Sequence, residues 1–402
     1  MEQRDFDVAI VGGGLVGASL ACALAPLGFA VALVDAAPRS VLAGDPRKLA
    51  LAAASLNALS ALGVLARLGT PPTPIRRVEV SRSGDFGRLC IEADEFGRPA
   101  FGGVVLAGDL GAALQRSVDA LPGLRQVRGR AETINGEGRT LRVQREDGGA
   151  ETWRARLVVA ADGAHSPLRA SAGIGVDTHD YGQTLIVTSA RLSAAAPGTA
   201  YERLTDSGPC AMLPMSGGRH GALMGVARDQ ADALMALDDT GFVALLQQRF
   251  GWRAGRVSEL GERSAWPLIS TIAERLTADR LVLVGNAAQA IHPIGAQGFN
   301  LGLRDALSLV DAIEERRGDA AVDPGTEAVL ADYTARRRDD RERTLAFSDG
   351  LARITATTSP LHRLGRSLGF AALNLDAGLR AEFAAGAMGF RGRVPRLARE
   401  AA

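Results

Sequence analysis

The stretch from Leu281 to Ile313 constrains the fold of this chain more than any other. Leu281 to Val284 is a short apolar run that reads as a buried strand. Directly after it, Gly285, Pro293, Gly295 and Gly298 fall within a segment made largely of small residues. From Asp305 to Ile313 apolar residues recur at helical spacing. Strand, glycine-rich turn and helix, in that order, point backbone N–H groups at an anionic or carbonyl-rich ligand.

A second unit of this kind opens the chain. Asp7 to Val11 reads as a strand, Leu15 to Leu27 as a helix, and Ala30 to Val34 as a strand closed by Asp35. Between the first two lies a GxGxxG pattern at Gly12, Gly14 and Gly17. Gly12 permits the tight turn, Gly14 lets a pyrophosphate approach the backbone, and Gly17 lets the helix sit close to the strand. Leu15 and Val16 open the helix at the expected cofactor edge. Asp35 stands where a ribose-binding acid is expected. It would repel a 2′-phosphate, so FAD or NAD is implied.

The choice between them turns on two further segments. Leu157 to Ala161 reads as a buried strand, followed by Asp162-Gly163 and then Ser166 and Arg169. Such an Asp-Gly turn is also common as a plain loop. With Ser166 and Arg169 behind it, it can instead hold a nucleotide. Asn286, next to Gly285, can reach a ribityl or ribose hydroxyl, because its amide both donates and accepts. A helix starting near Asn300, after Gly298 and Phe299, would aim its N-terminal dipole at the flavin pyrimidine carbonyls.

These three motifs together resemble the class A flavoprotein aromatic hydroxylases, single-component FAD monooxygenases of the para-hydroxybenzoate hydroxylase fold. The run His292-Pro293-Ile294-Gly295-Ala296-Gln297-Gly298-Phe299-Asn300 is similar to the ubiquinone-biosynthesis branch. Asn286-Ala287-Ala288-Gln289 resembles its 2-polyprenyl-6-methoxyphenol hydroxylase subgroup, as do Tyr201-Glu202-Arg203 and Gly208 to Met215. The resemblance implies FAD as cofactor and NAD(P)H as a transient electron donor, without a second Rossmann unit. It implies hydroxylation of a polyprenyl phenol by dioxygen through a flavin C4a-hydroperoxide. His292, Pro293, Gln297 and Gly298 are the expected catalytic residues, with Pro293 to Gly298 lining the reaction cavity. His292 reads equally as a structural turn residue. Arg47, in Asp45-Pro46-Arg47, matches an arginine that the family places by the flavin, although an ion pair with Asp45 is the plainer reading. Two features depart from the family. Gly295-Ala296 reverses the usual small pair, and the segment Gly108 to Leu114 lacks a polar glutamine.

Composition excludes other chemistries. The chain has 402 residues, 47% hydrophobic and 23% charged, with a net charge of +1. No global field favours nucleic acid. Lys48 is the only lysine, which weakens a Schiff-base reading. Three dispersed cysteines and five histidines without a paired spacing give no metal site. The charge-free run Val8 to Val34 is long enough for a membrane span. Its glycines and Pro26 argue for buried strand–helix–strand instead, and no signal-peptide pattern is evident. A cytoplasmic protein is expected, with peripheral contact at the inner face of the cytoplasmic membrane as an extension.

The expected architecture is α/β: a Rossmann-type FAD domain with an inserted mixed or antiparallel-sheet substrate domain and a helical C-terminus. Residues 1–75, 100–182 and 270–330 are assigned to the first, 76–99 and 183–269 to the second, and 331–402 to the third. A helix is expected over Ala50 to Leu62 and strands around Thr184 to Thr188 and Ala222 to Val226. The arginine-bearing segments Leu361 to Phe370 and Met388 to Arg396 read either as an interfacial surface for a bilayer-borne substrate, as helices packed on the core, or as a docking face for other ubiquinone-biosynthesis proteins. A homo-oligomer is compatible with the sequence. Three other readings stay open: a hydroxylase of a soluble phenolic acid, a flavin dehydrogenase or polyenyl reductase, and an accessory flavoprotein.

Overall fold

The computed structural model describes residues 2–85, 87–133, 140–292, 294–316, 323–356 and 360–399. Pro293 and the Asn135-Gly136 break lie outside the described residues.

Five strands run parallel in the order Arg125–Thr133, Val31–Asp35, Glu2–Val11, Ala150–Ala160 and Leu281–Leu283. Val8 lies opposite both Val31 and Leu157. These strands are apolar on both faces because helices cover both, so their central residues are shut off from solvent. Thr140–Arg145 pairs antiparallel with the strands on either side of it in sequence. Trp153 is fully buried there, with Phe6 edge-on at 5.3 Å.

Leu15–Leu24 and Gln297–Glu314 are the helices packed at the carboxyl end of this sheet. The first ends sooner than its apolar run suggests, because Pro26 has no N–H to continue it. A 3-10 turn over Ala25–Leu27 follows, closed by Gly28 at φ 72°. Gln297–Glu314 is buried from Asn300 to Ile313. It lies between Leu15–Leu24 and the 30-residue helix Glu327–Ala356, so polar residues on it must find partners inside.

A nine-stranded sheet forms the second layer, with Val176–Leu192 and Ser264–Ala273 at one side and Arg77–Arg82 and Arg88–Glu92 at the other. Thr199–Thr205 pairs parallel with Arg77–Arg82; the other pairings are antiparallel. Val176–Leu192 is far longer than the alternation around Thr184 to Thr188 suggests, because Ser264–Ala273 pairs along most of it across one bulge.

The expected helix over Ala50 to Leu62 is corrected. Lys48–Ala52 is a strand, and the helix is Ala53–Ala61. The alanine-rich segment suits either state, and pairing with Gly102–Leu106 decides it. Beyond Glu327–Ala356 the chain continues as the helices Pro360–Leu375 and Ala377–Met388. Arg393 and Arg396 pair with Glu315 and Glu314, which holds the tail against the flavin-side body, while Arg391 pairs with Glu382 within the tail. Among the described residues, no helix is long and apolar enough to cross a membrane.

Candidate active site

Three glycine turns separated by well over a hundred residues meet at one edge of the parallel sheet. Gly12 has φ 105°, and a Cβ there would stand 2.2 Å from the Ala161 carbonyl oxygen. A Cβ on Gly17 would stand 1.9 Å from the Gly12 carbonyl oxygen. Both positions therefore require glycine for packing alone. Gly14 differs: a Cβ on it meets nothing within 4 Å. Asp35, at the end of the neighbouring strand, lies against Gly13, where a Cβ would come within 2.9 Å of its own Cβ.

The third turn packs on the first. Gly285 has φ 60°, and its would-be Cβ touches Val16 at 3.1 Å. Gly302, on the helix behind, would meet the Gly285 Cα and Val16 at 2.9 Å. The second turn is tied to the third by Arg169, whose guanidinium donates to the Ala287 carbonyl at 2.9 Å and the Ala164 carbonyl at 2.7 Å. Ser166 caps the short helix there by accepting from the Arg169 N–H at 3.0 Å.

The surface so formed is open and polar. Gly163 (φ 93°) and Gly298 both face open space. Asp162 accepts from the Leu168 N–H at 3.3 Å through Oδ2, while buried Oδ1 has no partner among the described residues. Burial pushes the Asp162 carboxyl up from its ordinary value. Asn286 is exposed. Gln297, Gly298 and Phe299 form the first turn of the long helix, where backbone N–H groups have no intrahelical acceptor.

That edge is what a dinucleotide cofactor needs: an open glycine over a helix start, an acid at the second strand, and unpaired polar atoms farther along. A family model for an FAD binding domain matches residues 5–348. The chain belongs to this FAD-binding family. It is 37% identical over 395 residues to the ubiquinone hydroxylase UbiL of Rhodospirillum rubrum, spanning 95% of this chain and 89% of that protein. It is 32% identical over 354 residues to the 3-demethoxyubiquinol 3-hydroxylase of Escherichia coli, spanning 85% and 87%. Among solved structures, the p-nitrophenol 4-monooxygenase PnpA of Pseudomonas putida shares the fold with TM-score 0.77 at 18% identity, over 98% of this chain and all of that one. PqsL of Pseudomonas aeruginosa, a probable FAD-dependent monooxygenase, superposes with TM-score 0.74 at 25% identity, over 92% and all of that chain.

The protein is thus an FAD-dependent monooxygenase, with FAD as its cofactor and NAD(P)H the donor usual in the family. The residues present fit FAD. Gly14, Gly163 and Gly298 leave space that any side chain would enter, and Asp162 offers a buried oxygen without a partner.

The remaining sequence candidates are distributed unevenly around this edge. Asn300 is buried, and its side chain is fully engaged. Its oxygen accepts from the Ala52 N–H at 2.9 Å and the Ser55 hydroxyl at 2.8 Å, and its amide donates to the Ala50 and Ala296 carbonyls. It therefore joins the strand Lys48–Ala52 to the glycine turn. Arg47 forms its ion pair with Asp45, with Nε 2.9 Å from both carboxylate oxygens, and lies over Trp266 of the second sheet at 5.3 Å. The reversed pair shows its consequence at Ala296, which sits at φ 53° directly after Gly295 at φ 74°. A left-handed alanine costs about 1 kcal/mol or more.

His292 is buried and packs edge-on against Tyr181 at 4.7 Å, and Tyr181 meets His179 at 4.5 Å in the same way. Together with Asp177, Ser348 and Leu345 these rings line a cavity of about 280 Å³. Burial pulls the His292 imidazole down to about 4. The neutral ring is thereby favoured, with one N–H to donate and one nitrogen to accept.

A buried cluster beneath the third turn escaped the sequence reading. Asp305 is fully buried and accepts from the Gly285 N–H at 3.1 Å, Gln289 at 2.6 Å and Arg337 at 2.7 Å. Arg341 in turn donates to Gln289 at 2.9 Å, and Tyr333 donates to the Leu283 carbonyl at 2.8 Å. Asp305, Gly285 and Gln289 stood in the motif; Arg337, more than thirty positions on in a charged helix, carried no local signal.

Proposed function

We propose that this monooxygenase hydroxylates the aromatic ring of a polyprenyl phenol in ubiquinone biosynthesis. The observation that carries this reading is the character of the second sheet where it faces the flavin-side strand Lys48–Ala52. That face presents Ala211, Leu213, Leu223 and Val187. The arginines nearest it are committed to acids, Arg219 to Glu259 and Arg82 to Asp85 and Asp206. An aromatic acid would require a cation there; Lys48, whose side chain lies against Gly221, is the cation on the facing strand, and burial disfavours its charge, whereas an apolar phenol needs none. The resemblance to two ubiquinone-pathway hydroxylases over most of the chain supports the same choice.

In this reading the Gly12–Gly17 turn and Asp35 hold the adenosine diphosphate portion, and Asp162 and Asn286 take hydroxyls of the linking chain. The N–H groups of Gln297, Gly298 and Phe299 would lie toward the flavin and would favour negative charge on it. Bound FAD supplies the electrons from NAD(P)H and the activation of dioxygen. The chain's own task is to exclude water and orient the ring. Neutral His292 and Tyr181 close the cavity side of the turn, and Gln297 and Gly298 border the reacting edge. The C-terminal helices Pro360–Leu375 and Ala377–Met388 would meet the bilayer from which such a substrate is drawn.

The test is oxygen consumption by FAD-loaded protein with NADH or NADPH, with and without a short-chain 2-prenyl-6-methoxyphenol, and products weighed by mass. A product heavier by one oxygen atom, formed in step with donor oxidation, is expected. Donor oxidation that yields only peroxide, whichever phenol is supplied, would refute the assignment.

A further inference from the structure

The pairing of the nine-stranded sheet sorts its residues onto two faces. Glu202 lies opposite Val80 and Ala211, Ala211 opposite Leu223, and Leu213 opposite Gly221. Cross-strand partners share a face, and so do residues two apart on one strand. Gly221 identifies what that face looks at: a Cβ on it would come within 2.7 Å of Lys48 Cγ, on the strand that Asn300 holds against the flavin-side helix. The opposite face, with Tyr201, Cys210, Met212 and Met224, is closed by the helix Asp239–Phe250. Glu202 is therefore a carboxyl on the sheet face that looks toward the strand Lys48–Ala52, two strands over from Gly221.

Its bonding differs from that of three other buried carboxylates. Glu151 is held by Arg125 and by the Trp153 N–H, and Glu79 by Arg253. Asp305 has three partners. Glu202 Oε1 is sealed from solvent and has no hydrogen-bond partner among the described residues. The residue as a whole is half-buried, but this oxygen is shut off from solvent. The nearest cation along the neighbouring strand, Arg82, is engaged by Asp85 and Asp206. A buried polar atom without a partner is destabilising unless a ligand completes it.

We infer that Glu202 receives the hydroxyl of the phenolic substrate, accepting its hydrogen bond and then its proton as the ring is activated. The inference rests on the phenol reading above. The phenol O–H bond breaks with its electron pair left on oxygen, the proton passes to a Glu202 carboxylate oxygen, and the phenolate then donates electron density into the ring. The local chemistry suits the role. Burial pushes the Glu202 carboxyl up to about 7, and a base works best when its pKa lies near the operating pH.

The experiment compares wild type, Glu202→Gln and Glu202→Leu, each loaded with FAD, using the short-chain 2-prenyl-6-methoxyphenol and its O-methyl ether as probes. Absorbance of the bound phenol in the absence of electron donor reports phenolate directly. Wild type should show the phenolate band and both variants should lack it. Glu202→Gln keeps a hydrogen-bonding amide, so KM should change by only a few-fold while kcat falls roughly 100-fold. Glu202→Leu should weaken the phenol but not the ether, and should raise the thermal midpoint by removing an unpartnered carboxyl, which separates loss of function from loss of fold. Wild type that hydroxylates the phenol while Glu202→Gln matches it in both band and kcat overturns this inference and leaves the functional reading intact. Wild type that hydroxylates no prenyl phenol overturns both.

Discussion

Gly14 and Gly17 show how one residue type serves two purposes three positions apart. A Cβ at Gly17 would collide with a backbone carbonyl inside the protein, whereas one at Gly14 meets nothing. Gly17→Ala should lower the thermal midpoint even without flavin. Gly14→Val should leave the flavin-free protein nearly as stable as wild type and abolish the rise in midpoint on adding FAD. Calorimetry with and without FAD reads both, and a Gly14→Val protein that binds FAD normally would contradict the placement. His292 makes a pH statement. Unfolded, it takes up a proton near its ordinary 6.5; folded, only at about 4. Between those values the unfolded chain binds more protons, so stability falls as pH drops through the window, by at most about 3 kcal/mol. His292→Asn should flatten that acid limb in urea titrations run from pH 7 to pH 4. An unchanged slope would mean that the ring is not shielded as its burial implies.

At the scale of elements, the helix Gln297–Glu314 does two jobs. Its first turn borders the glycine turns, and its third holds Asp305 beneath the Gly285 turn. Removing one member of a buried ion pair leaves the other charged and unpaired, at a cost of about 3–5 kcal/mol. Asp305→Asn should lose that much in urea denaturation and should release FAD more readily, because the Gly285 N–H loses its charged acceptor. Pairing Asp305→Leu with Arg337→Met should recover much of the stability without restoring FAD retention. Recovery of both would show that the anchor is packing alone. The glycine turns, the strand ends and the helix after residue 300 were all legible in the chain, since each depends on a few adjacent residues. The state of Ala50 to Ala52 was not, because alanine is indifferent and a strand more than fifty positions away supplied the hydrogen bonds.

For the whole molecule, the edge proposed to hold the cofactor is assembled from residues 12–17, 162–163, 285–292 and 294–298, so a ligand there can bind only the folded chain. FAD at a hundred times its dissociation constant should therefore add about 2.7 kcal/mol to unfolding, and flavin release should coincide with loss of the parallel sheet by circular dichroism. Release well before unfolding would mean that the three turns separate first. What the sequence by itself determined is the cofactor class and the order of strand, turn and helix around each motif. Those follow from local requirements: positive φ at Gly12 and Gly285, close approach at Gly17, and apolar runs that must be buried. What only the tertiary structure decided is which polar groups remain unsatisfied once everything is packed. Asn300, a plausible cofactor ligand in the chain, spends its whole hydrogen-bonding capacity on the strand Lys48–Ala52. Glu202, unremarked in the chain as a chemical group, is left with a sealed and unpartnered oxygen. Hydrogen-bond satisfaction depends on partners brought together across the fold, and no spacing along the chain encodes it.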